Sequence, residues 1–319
     1  MARKVRTIVL TGNGTNCEVE TAHACRLAGS DEVDIVHISE LLYGEKRLDD
    51  YHFLNLPGGF LDGDDLGSAK AGANRILHAV VSGRNERLAD QFFRFIREGK
   101  LILGVCNGFQ LMVKLGILPA FDGDYRSQVT TLTFNDSGRF EDRWVYLRVQ
   151  EDTPCVFTRG IGSLYLPVRH GEGKFVTKSR QVLKKLYRQN QVVLQYSDGS
   201  CLAPTMDYPA NPNGSTDAIA GICDETGRLF GLMPHPEAYH HRTNHPRWTR
   251  EGLPEEGQGL VLFRNAVAFS VLPGRITLAR QHHARGWIER KRYCPSLAVR
   301  CFSNCRMGGS GRGIVVQIS

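Results

Sequence analysis

A chain of 319 residues with 41% hydrophobic content is long enough to bury a full core. None of its apolar runs approaches the roughly 20 residues that a membrane span needs, so a membrane protein of the helical kind is excluded. The net charge of +7 sits at one end: residues 275–319 hold nine Arg or Lys against one Glu, which leaves −1 for residues 1–274 and no electrostatic footprint for nucleic acid there.

The chain opens with a short apolar run that stops at Thr11 and Gly12, which is no signal peptide, and the cytoplasm is the expected compartment. On that footing the sequons at Asn13, Asn135 and Asn213 are chance matches. Residues 5–10 read as a strand running into Gly12-Asn13-Gly14-Thr15-Asn16, followed by helical spacing through Val19, Ala22 and Leu27. Further strands are expected at 33–38, at 51–56 and at 101–105. The third of these four ends in Pro57-Gly58-Gly59-Phe60. Leu88, Phe92, Phe95 and Ile96 mark one face of a helix ahead of the fourth. Strands alternating with helices predict an α/β fold with a doubly wound, mostly parallel sheet, whose ligand sites gather beyond the carboxyl ends of the strands.

After Leu118 the texture changes to short strand-like runs at 129–134, 144–149, 164–168, 192–196, 218–223 and 229–233, separated by turn residues. These predict an antiparallel extension that returns to the main sheet. A closing helix is expected over 257–272, with Leu260, Phe263, Val267 and Val271 on one stripe. Domain boundaries follow: one domain over 1–274, then a basic, Gly- and Arg-rich tail over 275–319 that reads as disordered.

The chain has nine cysteines, scattered and without a Cys-x-x-Cys pair, so neither a disulfide framework nor a zinc site is expected. Cys106 stands apart. It lies between Gly104 and Gly108, at the join of a buried strand and a helix, which is the pattern of a nucleophile elbow carrying sulfur in place of a hydroxyl. Cys17, Cys25, Cys155, Cys201 and Cys223 are read as structural.

Downstream, Pro234 and Pro236 flank His235 and are expected to keep that segment extended, with His235 and Glu237 on one side. A histidine with a carboxylate to orient its imidazole supplies a base, so Cys106, His235 and Glu237 form a candidate Cys-His-Glu triad. Gly58 and Gly59, with the backbone N–H of Asn107, are candidates for an oxyanion hole. The run Arg169-His170-Gly171-Glu172-Gly173-Lys174-Phe175 resembles a phosphate loop only superficially. Val168 stands where the first glycine is needed, and Phe175 where the hydroxyl is. His170 and Glu172 are equally a hydrogen-bonded turn pair or part of a docking surface. His240, His241 and His245 read as a solvent-facing loop, and no metal is expected.

These motifs together resemble the class I, triad-type glutamine amidotransferases, with a flavodoxin-like fold. The matching stretches are Gly104-Val105-Cys106-Asn107-Gly108-Phe109-Gln110, Leu56-Pro57-Gly58-Gly59-Phe60, Ala218-Ile219-Ala220-Gly221-Ile222 and Met233-Pro234-His235-Pro236-Glu237. Gly14-Thr15-Asn16-Cys17-Glu18, Gly59-Phe60-Leu61-Asp62-Gly63-Asp64 and the loop His170-Gly171-Glu172-Gly173 narrow the resemblance. They are similar to the glutaminase subunits of phosphoribosylformylglycinamidine synthase. The resemblance spans about residues 5–272.

It implies hydrolysis of L-glutamine to glutamate and ammonia through a γ-glutamyl thioester on Cys106, with His235 as the base, Glu237 as its orienter and Gln110 in support. It also implies a formylglycinamide ribonucleotide synthetase subunit as partner, with or without a small third subunit. ATP and Mg would sit on that partner, with no cofactor in this chain. Where the family carries Arg after His-Pro-Glu this chain has Ala238-Tyr239, and residues 79–91 and 208–216 look longer than in compact members. The competing readings are a free-standing amide or γ-glutamyl hydrolase of the same fold and a catalytically silent interaction module.

Overall fold

The computed structural model describes residues 4–271, and the basic tail expected over 275–319 lies outside the described residues. In chain order the elements are β1 (Arg6–Thr11), α1 (Glu18–Leu27), β2 (Glu32–His37), α2 (Ile38–Leu42), β3 (Phe53–Leu56), α3 (Lys70–His78), α4 (Leu88–Arg97), β4 (Leu101–Val105) and α5 (Asn107–Lys114). The second half holds β5 (Thr130–Thr133), β6 (Glu141–Val149), β7 (Ser163–His170), β8 (Lys174–Thr177), α6 (Arg180–Arg188), β9 (Val192–Ser197), β10 (Ile219–Cys223), β11 (Leu229–Leu232) and α7 (Leu260–Ser270).

The main sheet runs β2-β1-β3-β4-β11-β10-β9-β6-β7. Its first five strands are parallel, and from β10 onward each pairs antiparallel with its neighbour. The α/β expectation therefore holds, with the antiparallel strands continuing the same sheet. Central β4 is buried at every residue, which is why it reads as an unbroken apolar run without alternation. Helix α1 packs on α7, while α3 packs on α4 and α5. Helix α4 buries Leu88, Phe92, Phe95 and Ile96 on the stripe that the sequence marks.

Two details depart from expectation. Residues 130–133 do not join the main sheet; they pair antiparallel with β8, for which no strand was expected, in a separate two-stranded ribbon. Helix α6 was not foreseen, because only Leu186 of its nine residues is buried. Among the described residues, no helix is long and apolar enough to cross a membrane.

Candidate active site

The register of the parallel half builds the site. Leu56 of β3 pairs with Gly104 of β4, and Leu232 of β11 pairs with Val105. The three strands end level with one another, so Pro57-Gly58-Gly59, Cys106 and His235 emerge side by side at their carboxyl ends, where open α/β sheets place ligands.

Cys106 occupies the join between β4 and α5 at φ 52° and ψ −106°, a left-handed conformation that costs roughly 1–3 kcal/mol for a residue with a Cβ. Both flanking glycines are sterically required. A Cβ on Gly108 would lie 1.8 Å from the Leu56 carbonyl oxygen, and one on Gly104 would lie 2.5 Å from Met112 Sδ. The backbone N–H of Cys106 donates to the Leu232 carbonyl at 2.8 Å, which ties the elbow to β11. The turn thus presents the sulfur at a cavity wall while only 6% of the residue remains exposed.

His235 is anchored by its backbone N–H, which donates to Pro167 of β7 at 2.8 Å. Its Nδ1 lies 2.5 Å from Glu237 Oε1, with both side chains buried. Burial alone disfavours the charged imidazole, but the Glu237 carboxylate, followed by the Cys106 and Cys17 thiols, outweighs it and holds His235 well above its ordinary value. The structure therefore brings Cys106, His235 and Glu237 together. It corrects the expectation of extended backbone, because Pro236–Ala238 form one 3₁₀ turn with proline in its first position, where a missing N–H costs nothing.

Gly58 and Gly59 face the same place. A Cβ on Gly58 would lie 2.7 Å from His235 Cε1, and one on Gly59 would lie 2.7 Å from the Gly14 carbonyl. The Gly58 carbonyl accepts from the N–H of Asn16 and of Cys17, and Phe60 N–H donates to Gly14. Those bonds orient the loop without using the N–H groups of Gly58 or Gly59.

Asn107 and Gln110 form a buried relay. Asn107 Oδ1 accepts from Leu61 N–H at 3.0 Å, its Nδ2 donates to Gln110 Oε1 at 3.0 Å, and Gln110 Nε2 donates to the Glu172 carbonyl at 2.7 Å. The relay pins the 170–173 loop above the elbow. His170 is buried rather than part of a docking face, as its alternative reading had it. Burial, then the charge on His235, push its pKa down to about 3. Asn135 and Asn213, read from the sequence as turn residues and chance sequons, are buried and hold this loop. Asn135 Nδ2 donates to the His170 carbonyl at 2.8 Å and Asn213 Nδ2 to the Gly173 carbonyl at 2.9 Å.

A cavity of about 450 Å³ joins these parts; Asp64, Arg139, Arg169 and Glu172 also line it. Sequence reasoning did not single out Asp64 and the two arginines, and it read Cys17 as structural without placing it at the site. Cys17 Sγ lies in the cavity wall, 3.9 Å from His235 Nδ1. The available signals were its position just past the end of β1 and its place in Gly14-Thr15-Asn16-Cys17-Glu18, one of the stretches that carry the family resemblance. The solvent-facing reading of the downstream histidines also fails for His245, which is buried with its ring against Trp144, Tyr165 and Tyr239. One group among the described residues has ligand atoms close enough for a metal ion: Cys17, His235 and Glu237, all within 4.8 Å of one another.

Residues 4–270 match the CobB/CobQ-like glutamine amidotransferase domain family. The chain is 49% identical over 268 residues to the phosphoribosylformylglycinamidine synthase subunit PurQ of Dehalococcoides mccartyi, covering 84% of this chain and 98% of that one. It is 42% identical to the subunit of the same name from Methanococcus maripaludis over 274 residues, or 83% and 97% of the two chains. A solved structure of PurLQS from Thermotoga maritima contains a chain that superposes with a TM-score of 0.60 at 29% identity, covering 84% of this chain and 99% of that one.

Proposed function

Because the chain belongs to the CobB/CobQ-like glutamine amidotransferase family, alongside the PurQ subunits of phosphoribosylformylglycinamidine synthase, we propose that its cavity hydrolyses L-glutamine for delivery of ammonia to a synthetase. The observation that carries the chemical roles is the convergence of a strained Cys106 with a buried His235–Glu237 pair at one cavity.

In this reading Cys106 passes its thiol proton to His235, and Sγ attacks the side-chain amide carbon of glutamine. The oxyanion that forms is met by backbone N–H groups of the Gly58-Gly59 loop and of Asn107, donors whose removal one at a time typically costs about 10²–10³ in turnover. His235 gives its proton to the departing ammonia, leaving a γ-glutamyl thioester. It then takes a proton from the water that frees glutamate. Glu237 fixes the imidazole and stabilises its charge throughout.

The cavity also suits the other end of the substrate. Asp64 is pushed up by burial and then by the charge of nearby Glu172, as expected for two carboxylates set to receive a cation such as the α-ammonium. Arg139 and Arg169 offer positive charge for the α-carboxylate.

The ammonia goes to the formylglycinamide ribonucleotide synthetase subunit, with a small third subunit in the assembly, and the product serves purine biosynthesis. ATP and Mg²⁺ belong to that synthetase. A catalytic thiol has to stay reduced, which favours the cytoplasm.

A diazo-ketone analogue of glutamine tests the reading. Incubated with the chain and its synthetase partner, it is expected to leave one mass adduct on Cys106. No adduct, or an adduct on another residue, overturns the assignment.

A further inference from the structure

We propose that Cys17 Sγ, His235 Nδ1 and the Glu237 carboxylate form a binding site for Zn²⁺, and that an ion held there stops glutamine hydrolysis. None of the three steps of amide hydrolysis uses Cys17, yet its sulfur is part of the wall that holds the imidazole. Three residues of the types that zinc favours, one thiol, one imidazole and one carboxylate, converge within 4.8 Å.

The spacing suits one ion. Sulfur and nitrogen ligands at zinc's usual bond lengths sit about 3.6 Å apart in a tetrahedron. Here Cys17 Sγ and His235 Nδ1 are 3.9 Å apart. The carboxylate is held closer to the ring than an ion permits, at 2.5 Å, and has to swing by roughly 1 Å to admit one. A second, independent feature points the same way: Glu237 Oε2 is fully buried and makes no hydrogen bond, leaving a charged donor for a cation. The fourth position falls to water or to Cys106. A Cβ built on Gly58 would lie 3.2 Å from Cys17 Sγ and 3.5 Å from Cys106 Cβ, so the two cysteine side chains border the same small space.

Binding displaces two protons, one from the Cys17 thiol and one from the Nδ1 that His235 shares with Glu237. No oxidant or reductant takes part. The ion locks the imidazole and takes the place of its Nδ1 proton; the Nε2–H that remains belongs to a neutral, metal-bound ring, a far weaker acid than the imidazolium, so the leaving ammonia is no longer protonated effectively. This inhibitory half rests on the role of His235 proposed above; the binding half does not.

The test uses the full chain and ZnCl₂, with Zn²⁺ binding read by competition against a chromophoric chelator and turnover read with the synthetase partner. Residues 272–319 carry three more cysteines, so the decisive quantity is the difference between variants. Cys17→Ala and the size-matched Cys17→Ser should lose one tight equivalent of Zn²⁺ per chain, with at least a tenfold rise in Kd. Relative to each protein's own metal-free rate, zinc at levels that silence the wild type should inhibit both variants far less, and Cys106→Ala should keep the site. Mg²⁺ should neither bind there nor inhibit. Equal zinc binding and equal inhibition in wild type and Cys17 variants overturn the proposal. Loss of the site in Cys106→Ala but not in the Cys17 variants also overturns it. Metal-free wild type is assayed first: no glutamine turnover there contradicts the glutaminase reading, while the chelator measurement still decides the zinc site.

Discussion

Nδ1 of His235 lies 2.5 Å from Oε1 of Glu237, and neither side chain is more than 2% exposed. In a site so dry the carboxylate's charge sets the protonation of the ring. Glu237→Gln keeps the shape and the hydrogen bond but removes that charge. Glutaminase kcat, measured with the synthetase partner, should fall by about 10²–10⁴ while KM for glutamine moves little. The limb of the pH–rate profile that belongs to His235 should shift to lower pH, because the variant's imidazole gives up its proton more readily. An unchanged kcat and profile would contradict the role.

His170 provides a separate pH signature, in stability. Burial, then the charge on His235, lower its pKa to about 3, whereas an unfolded histidine titrates near 6.5. The unfolded chain therefore takes up a proton that the folded chain refuses. Stability from this group is full above about pH 6.5 and drains away as the pH falls toward 3. Between pH 7.5 and 5.0, wild type should lose on the order of 2 kcal/mol more than His170→Gln in urea unfolding. Parallel losses in the two proteins would show that His170 is not held neutral.

How far the sequence reveals this architecture depends on the range of the interaction. Residues 101–105 announce a strand because both faces are covered and the run is purely apolar. The elbow is legible because Gly104 and Gly108 are demanded by contacts within a few residues and one neighbouring strand. The triad is legible because chemistry restricts which residue types can serve. The place of Cys17 beside His235 was not legible because only the order β1-β3-β4-β11 carries the end of β1 to the end of β11. His245 was misread for a similar reason. The prolines around it suggested an exposed loop, while the aromatic rings that bury it come from β6, β7 and the turn after His235. Short β8 and polar α6 lack the apolar period that would mark them.

Gly108 tests the elbow's packing. Its missing Cβ would meet a backbone oxygen in β3 at 1.8 Å, which no side-chain rotation relieves. Gly108→Ala should lower unfolding free energy by about 2–4 kcal/mol in urea titration. Gly162→Ala, where a Cβ meets nothing within 4 Å, should stay within about 0.5 kcal/mol of wild type. Equal midpoints for the two variants would show that the close approach of α5 to β3 is wrong.

Gln110 tests the relay to the 170–173 loop. Gln110→Ala leaves Asn107 Nδ2 and the Glu172 carbonyl without their partner, a loss of about 1–3 kcal/mol. Because Glu172 is proposed to face the substrate's ammonium, the loss should appear mainly as a rise of about tenfold in KM for glutamine, with kcat less affected. A KM equal to that of wild type would separate the relay from substrate binding.

The central claim is that Cys106 makes ammonia here for a reaction completed on another subunit. Cys106→Ala, reconstituted with the synthetase and the small third subunit, tests this by comparing two nitrogen sources. Synthesis of formylglycinamidine ribonucleotide from glutamine should disappear, while synthesis from added ammonia should continue at the wild-type rate. Retention of the glutamine-dependent reaction would contradict Cys106 as the nucleophile, and persistence of neither reaction would contradict the division of labour between the subunits.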